Sequence, residues 1–234
     1  VVAILGYHKI GPPGPGGWPT WFYVPEATFV EHLRMLAGDG WPVIGLDRFL
    51  AGLDDPAALP PRAALLTFDD AHRCLRQVAL PALRRLRLPA VVFTPSAYVG
   101  GWSTFDASEP IEPLCDWSDL RALAAAGISV QSHGATHRAF SGLDAAQQER
   151  ELCTSRQVLE QGLGRRVKAF AFPYGDPGPD PATVRIRLQR AGYRAAFGYG
   201  GGPVRLPADR YALPRIAMGP DTDLALALAA EPGP

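Results

Sequence analysis

The 234-residue chain has no surplus of either charge: Lys+Arg and Asp+Glu are both 23, a formal net charge of zero. Without a basic field or a basic stretch interleaved with aromatics, neither nucleic acid nor an anionic membrane surface is an expected partner. Cysteine is scarce. Cys74, Cys115 and Cys153 are odd in number, widely spaced and lack a CxxC pair, so they form neither a disulfide framework nor a cysteine-rich zinc site. No stretch approaches the ~18 consecutive apolar residues of a transmembrane helix, and no membrane span is expected. The chain opens at Val1 without a charged segment before its apolar start, so no leader is visible in it. Low-complexity blocks and long linkers are also missing, which leaves one domain over 1–234.

What is present is alternation. Short β-prone runs at 2–7, 42–46, 63–68, 90–94, 128–132, 167–172, 194–198 and 211–217 are separated by helical patterns. Runs such as "AALLTF" and "PAVVFT" are apolar on successive positions, as in parallel strands covered on both faces. "EATFVEHLRMLAGDG" sets Phe29, Leu33 and Leu36 on one helical face and ends in glycine. "SDLRALAAAGI" opens with Ser118 as the expected cap, and "DPATVRIRLQRAGY" opens with Asp180 as cap and Pro181 at the first helical position. In the longest helical pattern, 143–164, Glu149, Arg150 and Glu151 are assigned to a solvated face. About eight β-then-α units in a chain close to the ~250 residues typical of such barrels predict an α/β fold, a single-domain distorted (β/α) barrel of about seven to eight strands. An open doubly wound sheet is the alternative, disfavoured because no GxGxxG follows the first strand.

The polar outliers fall at the carboxyl ends of these strands. His8 ends the first, Asp69 and Asp70 the third, His133 the fifth and "FPYG" (172–175) the sixth, while Arg215 lies in the last. That is the distribution of a barrel active site. His133 and His137, four apart in "SHGATH", can reach one metal, although two solvent-facing or core histidines also occur at that spacing. An added carboxylate completes a three-ligand site with an open position. The adjacent acids of "TFDD" then divide the work: one ligates, the other takes a proton. Since neighbouring strand residues point to opposite faces, both reach the site only if the chain turns at 68–70.

These motifs resemble the NodB-like polysaccharide deacetylases of carbohydrate esterase family 4. "TFDD", "SHGATH" and "AFPYG" are similar to that family's successive motifs, and "LGYHKIG", "FVEHLRMLAGDGWPVIGLDRFL" and "YALPRIAM" are similar to the branch acting on poly-β-1,6-N-acetylglucosamine. The match runs from Val2 to about Met218. The resemblance implies metal-dependent hydrolysis of N-acetyl (or O-acetyl) groups on a sugar polymer or oligosaccharide, in an extracytoplasmic setting and with no obligate protein partner evident. It implies Asp70, His133 and His137 as ligands of one divalent metal, Zn2+ with Co2+ or Ni2+ as alternatives, and Asp69 as general base. Pro173 and Tyr174 would contact substrate, with the Tyr174 N–H at the oxyanion.

The chain departs from the family in three places. No histidine follows His137, so the late Leu-x-His acid is missing, and the branch's early Tyr-His motif puts His8 in that role. Ala71 stands where the family has glycine, a strain of about 1 kcal/mol if φ is positive there. The arginine before Pro-Tyr is absent; Arg215 either replaces it by pairing with Asp69 or is a loop anchor. His32 reads as structural and His72 as a neighbour of the site. Trp18, Trp21, Tyr23, Trp102 and Phe105 either stack on sugar rings or pack under loops. Two other functions stay open: amide or formyl hydrolysis of a small substrate, expected with a closed pocket, and a non-catalytic sugar-binding descendant.

Overall fold

A computed structural model describes residues 1–231. Its strands are β1 (Val2–Tyr7), β2 (Lys9–Ile10), β3 (Tyr23–Val24), β4 (Ala63–Phe68), β5 (Ala90–Thr94), β6 (Ile128–Ser132), β7 (Ala169–Ala171), β8 (Ala195–Phe197) and β9 (Ile216–Ala217). Its helices are α1 (Glu26–Gly38), α2 (Leu46–Asp54), α3 (Leu80–Leu86), α4 (Trp117–Ala125), α5 (Ala145–Leu163), α6 (Pro181–Arg190) and α7 (Leu224–Ala229). Seven strands form one parallel sheet in the order β8-β7-β6-β5-β4-β1-β9, and β2 pairs with β3 in a small parallel ribbon.

The sheet curls into the expected distorted barrel because both of its faces are apolar. One phase of the two-residue period, Ile4, Leu65, Val91, Phe93, Ala169, Ala171, Ala195 and Phe197, clusters with Leu46, Phe49 and Leu50 of α2. The other phase, Leu5, Tyr7, Leu66, Phe68, Val92 and Val130, packs on Phe29 and Leu33 of α1, Leu80 and Leu83 of α3 and Leu120 and Leu123 of α4. A third cluster joins Phe170 and Phe172 to Leu152 and Leu159 of α5 and Val184 and Leu188 of α6.

The seam is closed by the segment 213–217. Its first residue bridges β8, where Leu213 N–H donates to Ala196 O and Gly198 N–H donates to Leu213 O, and its last two pair with Leu5 and Gly6 of β1. The expected strand at 42–46 does not form. Only Val43 bridges to Ala64, where the lower half of β4 is not yet paired with β5, and from Leu46 the chain is helical. Proline at 42 and glycine at 45 cut the run short.

The α4 cap is Asp116 rather than Ser118. Asp116 and Asp119 form a reciprocal capping box, and the Ser118 hydroxyl donates to Asp116 Oδ1. Asp180 caps α6 with Pro181 in its first turn, as the sequence indicates. In α5 the assignment of Glu151 to a solvated face is wrong: it is 6 % exposed, on the buried stripe with Gln148, Leu152, Ser155 and Leu159. Those positions keep helical spacing, so the polar residues share the face of the leucines.

Candidate active site

The strand period explains why Asp69 points inward. On β4, Leu65 and Thr67 belong to the inner phase, and Asp69 continues it one step past the strand end. Asp70 would then point outward, but the chain turns there as expected: Asp70 has φ 66 and Ala71 φ 57, both left-handed. Both acids thereby face one cavity and are almost fully buried. Ala71 therefore bears the left-handed strain anticipated for it. Its methyl is buried in the core, which recovers a gain of about 0.8 kcal/mol and offsets most of that cost.

Asp69 is held from below. Arg215, fully buried at the start of β9, donates through Nη1 to Asp69 Oδ1 at 2.6 Å and through Nη2 to Oδ2 at 2.7 Å. The same guanidinium donates to Gly198 O and Thr67 Oγ1 and lies 5.4 Å from the ring centroids of both Phe93 and Tyr199. Of the two readings left open for Arg215, the ion pair is the one formed. Burial on its own raises the Asp69 carboxyl, but the charge and hydrogen bonds of Arg215 oppose it and the carboxyl is held below the ordinary carboxylate range.

Asp70, His133 and His137 converge into a buried group whose ligand atoms all lie within 4.8 Å of one another. Asp70 Oδ1 is 3.1 Å from His137 Nε2 and 3.5 Å from His133 Nε2, yet no ring N–H is aligned on it and the oxygen has no hydrogen-bond partner. The His133 Nδ1–H donates to Ala171 O at 2.8 Å, which fixes the tautomer and turns the Nε2 lone pair toward Asp70. Burial pushes the His133 pKa down to about 4, keeping the ring neutral. An orphaned carboxylate oxygen facing a neutral imidazole lone pair is a misfit as a hydrogen-bond cluster, and it fits a cation. His72 Nε2 lies 3.4 Å from Asp70 Oδ2, on the flank of the group.

His8, just past β1, places Nε2 3.8 Å from Asp69 Oδ2, between the rings of Phe22 and Tyr199. Burial lowers its pKa, and the charges of Asp69 and Asp70 push the other way. Tyr174 follows β7 with φ 58 and is exposed on the rim, its hydroxyl donating to Phe105 O. The His137 ring is walled by Phe105, Tyr174 and His133 at centroid distances of 4.0, 4.8 and 4.9 Å. Pro173 is buried beside them and does not line the cavity.

The cavity, about 210 Å³ and open to solvent, is further bounded by Lys9, Ser103, Asp106, Glu109 and Tyr199. Of the aromatics singled out in the sequence, Phe105 is in its wall. Trp18, Trp21 and Trp102 are exposed elsewhere, and Tyr23 is buried with its hydroxyl on Glu112. His32 is structural, bonded to the Tyr7 hydroxyl at 3.1 Å. Sequence reasoning missed Tyr199, which lies in a loop without a motif, and the Lys9–Glu109 pair at 2.7 Å, which joins β2 to a loop a hundred residues on.

An α/β barrel with acids and imidazoles gathered in an open cavity at the carboxyl ends of its strands has the equipment of a hydrolase. Residues 57–196 match the polysaccharide deacetylase family, and the chain belongs to it. The poly-beta-1,6-N-acetyl-D-glucosamine N-deacetylase of Staphylococcus aureus (strain MRSA252) is 22% identical over 209 residues, covering 86% of this chain and 69% of that protein. The deacetylase PplD of Streptococcus pyogenes, solved in complex with acetate, superposes with a TM-score of 0.83 at 19% identity over 98% of both chains. IcaB from Ammonifex degensii gives 0.82 at 21% identity, covering 97% of this chain and 95% of that one. At these identities the structural likeness is one of fold.

Proposed function

We propose that this chain is a metal-dependent hydrolase that removes acetyl groups from the amino sugars of a polysaccharide or oligosaccharide. The observation that carries the reading is the pairing of two differently equipped acids at one cavity. Asp69 is clamped by Arg215, while Asp70 has a bare oxygen facing His133 and His137. Membership of the deacetylase family and the acetate in the Streptococcus pyogenes structure support an acetyl group as the acyl group removed.

Asp70, His133 and His137 hold one divalent cation, zinc first and cobalt or nickel as alternatives. When bound, that ion supplies Lewis acidity, polarising a carbonyl and easing the deprotonation of water. Asp69 takes the proton as general base: Arg215 keeps it ionised and fixes its orientation. The Tyr174 N–H donates to the oxyanion of the tetrahedral intermediate, on a backbone held left-handed after β7. His8, which lines the same cavity as Tyr174, protonates the departing amine. The open cavity admits a sugar unit while the rest of a chain stays in solvent, and this reading carries an extracytoplasmic location with it.

The test joins metal content by plasma mass spectrometry to acetate release from acetylated β-1,6- and β-1,4-linked glucosamine oligomers. The expected outcome is about one divalent ion per chain, lost in His133→Ala, and acetate release only by the loaded protein. Protein that takes up no metal after reconstitution would sink the reading.

A further inference from the structure

The segment carrying both histidines is short and tightly bent. Gly134 has φ +78 and His137 φ 54, and the ligand rings lie at its two ends. What holds it is a carboxylate from another element. Glu151, on the buried face of α5, accepts hydrogen bonds from Ala135 N at 2.7 Å, from Thr136 N at 2.8 Å and from the Thr136 hydroxyl. The fit is close: a Cβ on Gly134 would meet Glu151 Oε2 at 2.9 Å.

Two neighbours of Glu151 on α5 continue the brace. Ser155, one turn on, shares a short hydrogen bond with Ser132, the residue before His133, and the Ser132 hydroxyl also accepts from Gly134 N. Gln148, one turn back, donates through Nε2 to Phe140 O and Leu143 O and accepts from Arg187. A helix whose buried stripe mixes leucines with three polar residues, each bonded to the loop or its flanks, is shaped to hold that loop. A carboxylate buried to this degree needs such donors, and the two consecutive loop N–H groups supply them.

We propose that Glu151 is a positioning residue for the metal: by gathering the Ala135 and Thr136 N–H groups it sets the distance and angle between His133 and His137. The inference rests on the metal-site reading above. Backbone N–H groups converging on one carboxylate fix the peptide planes between the two ligands. Loss of the carboxylate frees those planes and lets the His137 ring swing from Asp70.

The test is Co2+ binding followed by its visible spectrum, on wild type, Glu151→Gln and Thr136→Val, with folding checked by circular dichroism and Tm. Glutamine keeps the volume but removes the charge, and its single carbonyl oxygen can serve either the two N–H groups or the Thr136 hydroxyl. We expect folded Glu151→Gln to bind Co2+ about 10-fold or more weaker, in line with other outer-shell partners, with an altered d–d spectrum. Thr136→Val, which removes a single exposed hydroxyl, should weaken binding by a few-fold with the same spectral trend. A purely structural role would lower Tm and leave the affinity and spectrum of the folded protein unchanged, and that result overturns the proposal. If Glu151→Gln does not fold, Thr136→Val decides: wild-type affinity and spectrum there also overturn it. A wild type that binds no Co2+ removes the metal reading itself, and the proposal with it.

Discussion

Asp69 and Asp70 are adjacent in sequence, both buried at one cavity, and differ in their partners. The first sits above a guanidinium that satisfies both its oxygens; the second shows one oxygen to two imidazoles. Asp69→Asn should abolish acetate release while metal content stays at the wild-type level, and retained turnover would remove Asp69 as the base. The same change leaves Arg215 buried without its counter-charge, so a stability loss of roughly 3–5 kcal/mol should accompany it in thermal or urea denaturation. His8→Ala deletes a ring that packs on Phe22 and Tyr199 and is not one of the three residues of the candidate metal group. Its kcat should fall about 10²–10⁴-fold with metal content unchanged; near-normal kinetics would take His8 out of proton transfer. These residues were readable in the sequence because each ends a strand, where a polar side chain after an apolar run stands out. Glu151 was not readable from charge alone. It neighbours Glu149 and Arg150, and only its helical phase with Leu152 and Leu159 marks it as buried.

At the scale of elements, local sequence chemistry set boundaries well where glycine, proline or a cap was decisive. The α5 helix begins at Asp144, whose side chain accepts from Gln147 N while Gln147 reaches back to Asp144 N, and ends at Gly164 with φ 63. Asp144→Ala should cost about 1 kcal/mol, a drop in Tm of roughly 2–4 °C for a chain of this size. Because α5 braces the histidine loop from its middle, Co2+ affinity should hold while Tm falls; differential scanning calorimetry beside metal titration checks both. The strand expected at 42–46 shrinks to one bridge because Pro42 and Gly45 flank Val43 and Ile44 in "PVIGL". That even this bridge forms depends on the half of β4 that β5 leaves free, which is a property of the sheet.

For the whole molecule, the alternation of strand and helix was enough to give a parallel α/β barrel, because two-faced burial imposes continuous apolar runs that helices must cover. Closure was not legible: β7, β8 and β9 are two or three residues long, and the seam depends on bridges scattered through 197–217. A ligand that binds only the native state stabilises it by mass action, by about 2.7 kcal/mol at one hundred times its Kd. Chelation with EDTA should therefore lower Tm, and stoichiometric zinc should restore it. A melting curve indifferent to both would count against a cation at Asp70, His133 and His137. Among the described residues no helix is long and apolar enough to cross a membrane.

The seam also orders events during synthesis. Asp70, His133 and His137 have all been made once residue 137 has emerged, and Glu151 and Ala171, which orient the histidines, follow. The guanidinium that neutralises Asp69 arrives only with residue 215, on the segment that shuts the barrel. A nascent chain halted before Leu213 carries those three residues and an acid without its counter-ion, in a sheet that still lacks β9. Pairing of Asp69 and closure of the wall thus arrive in one event, the docking of 213–217.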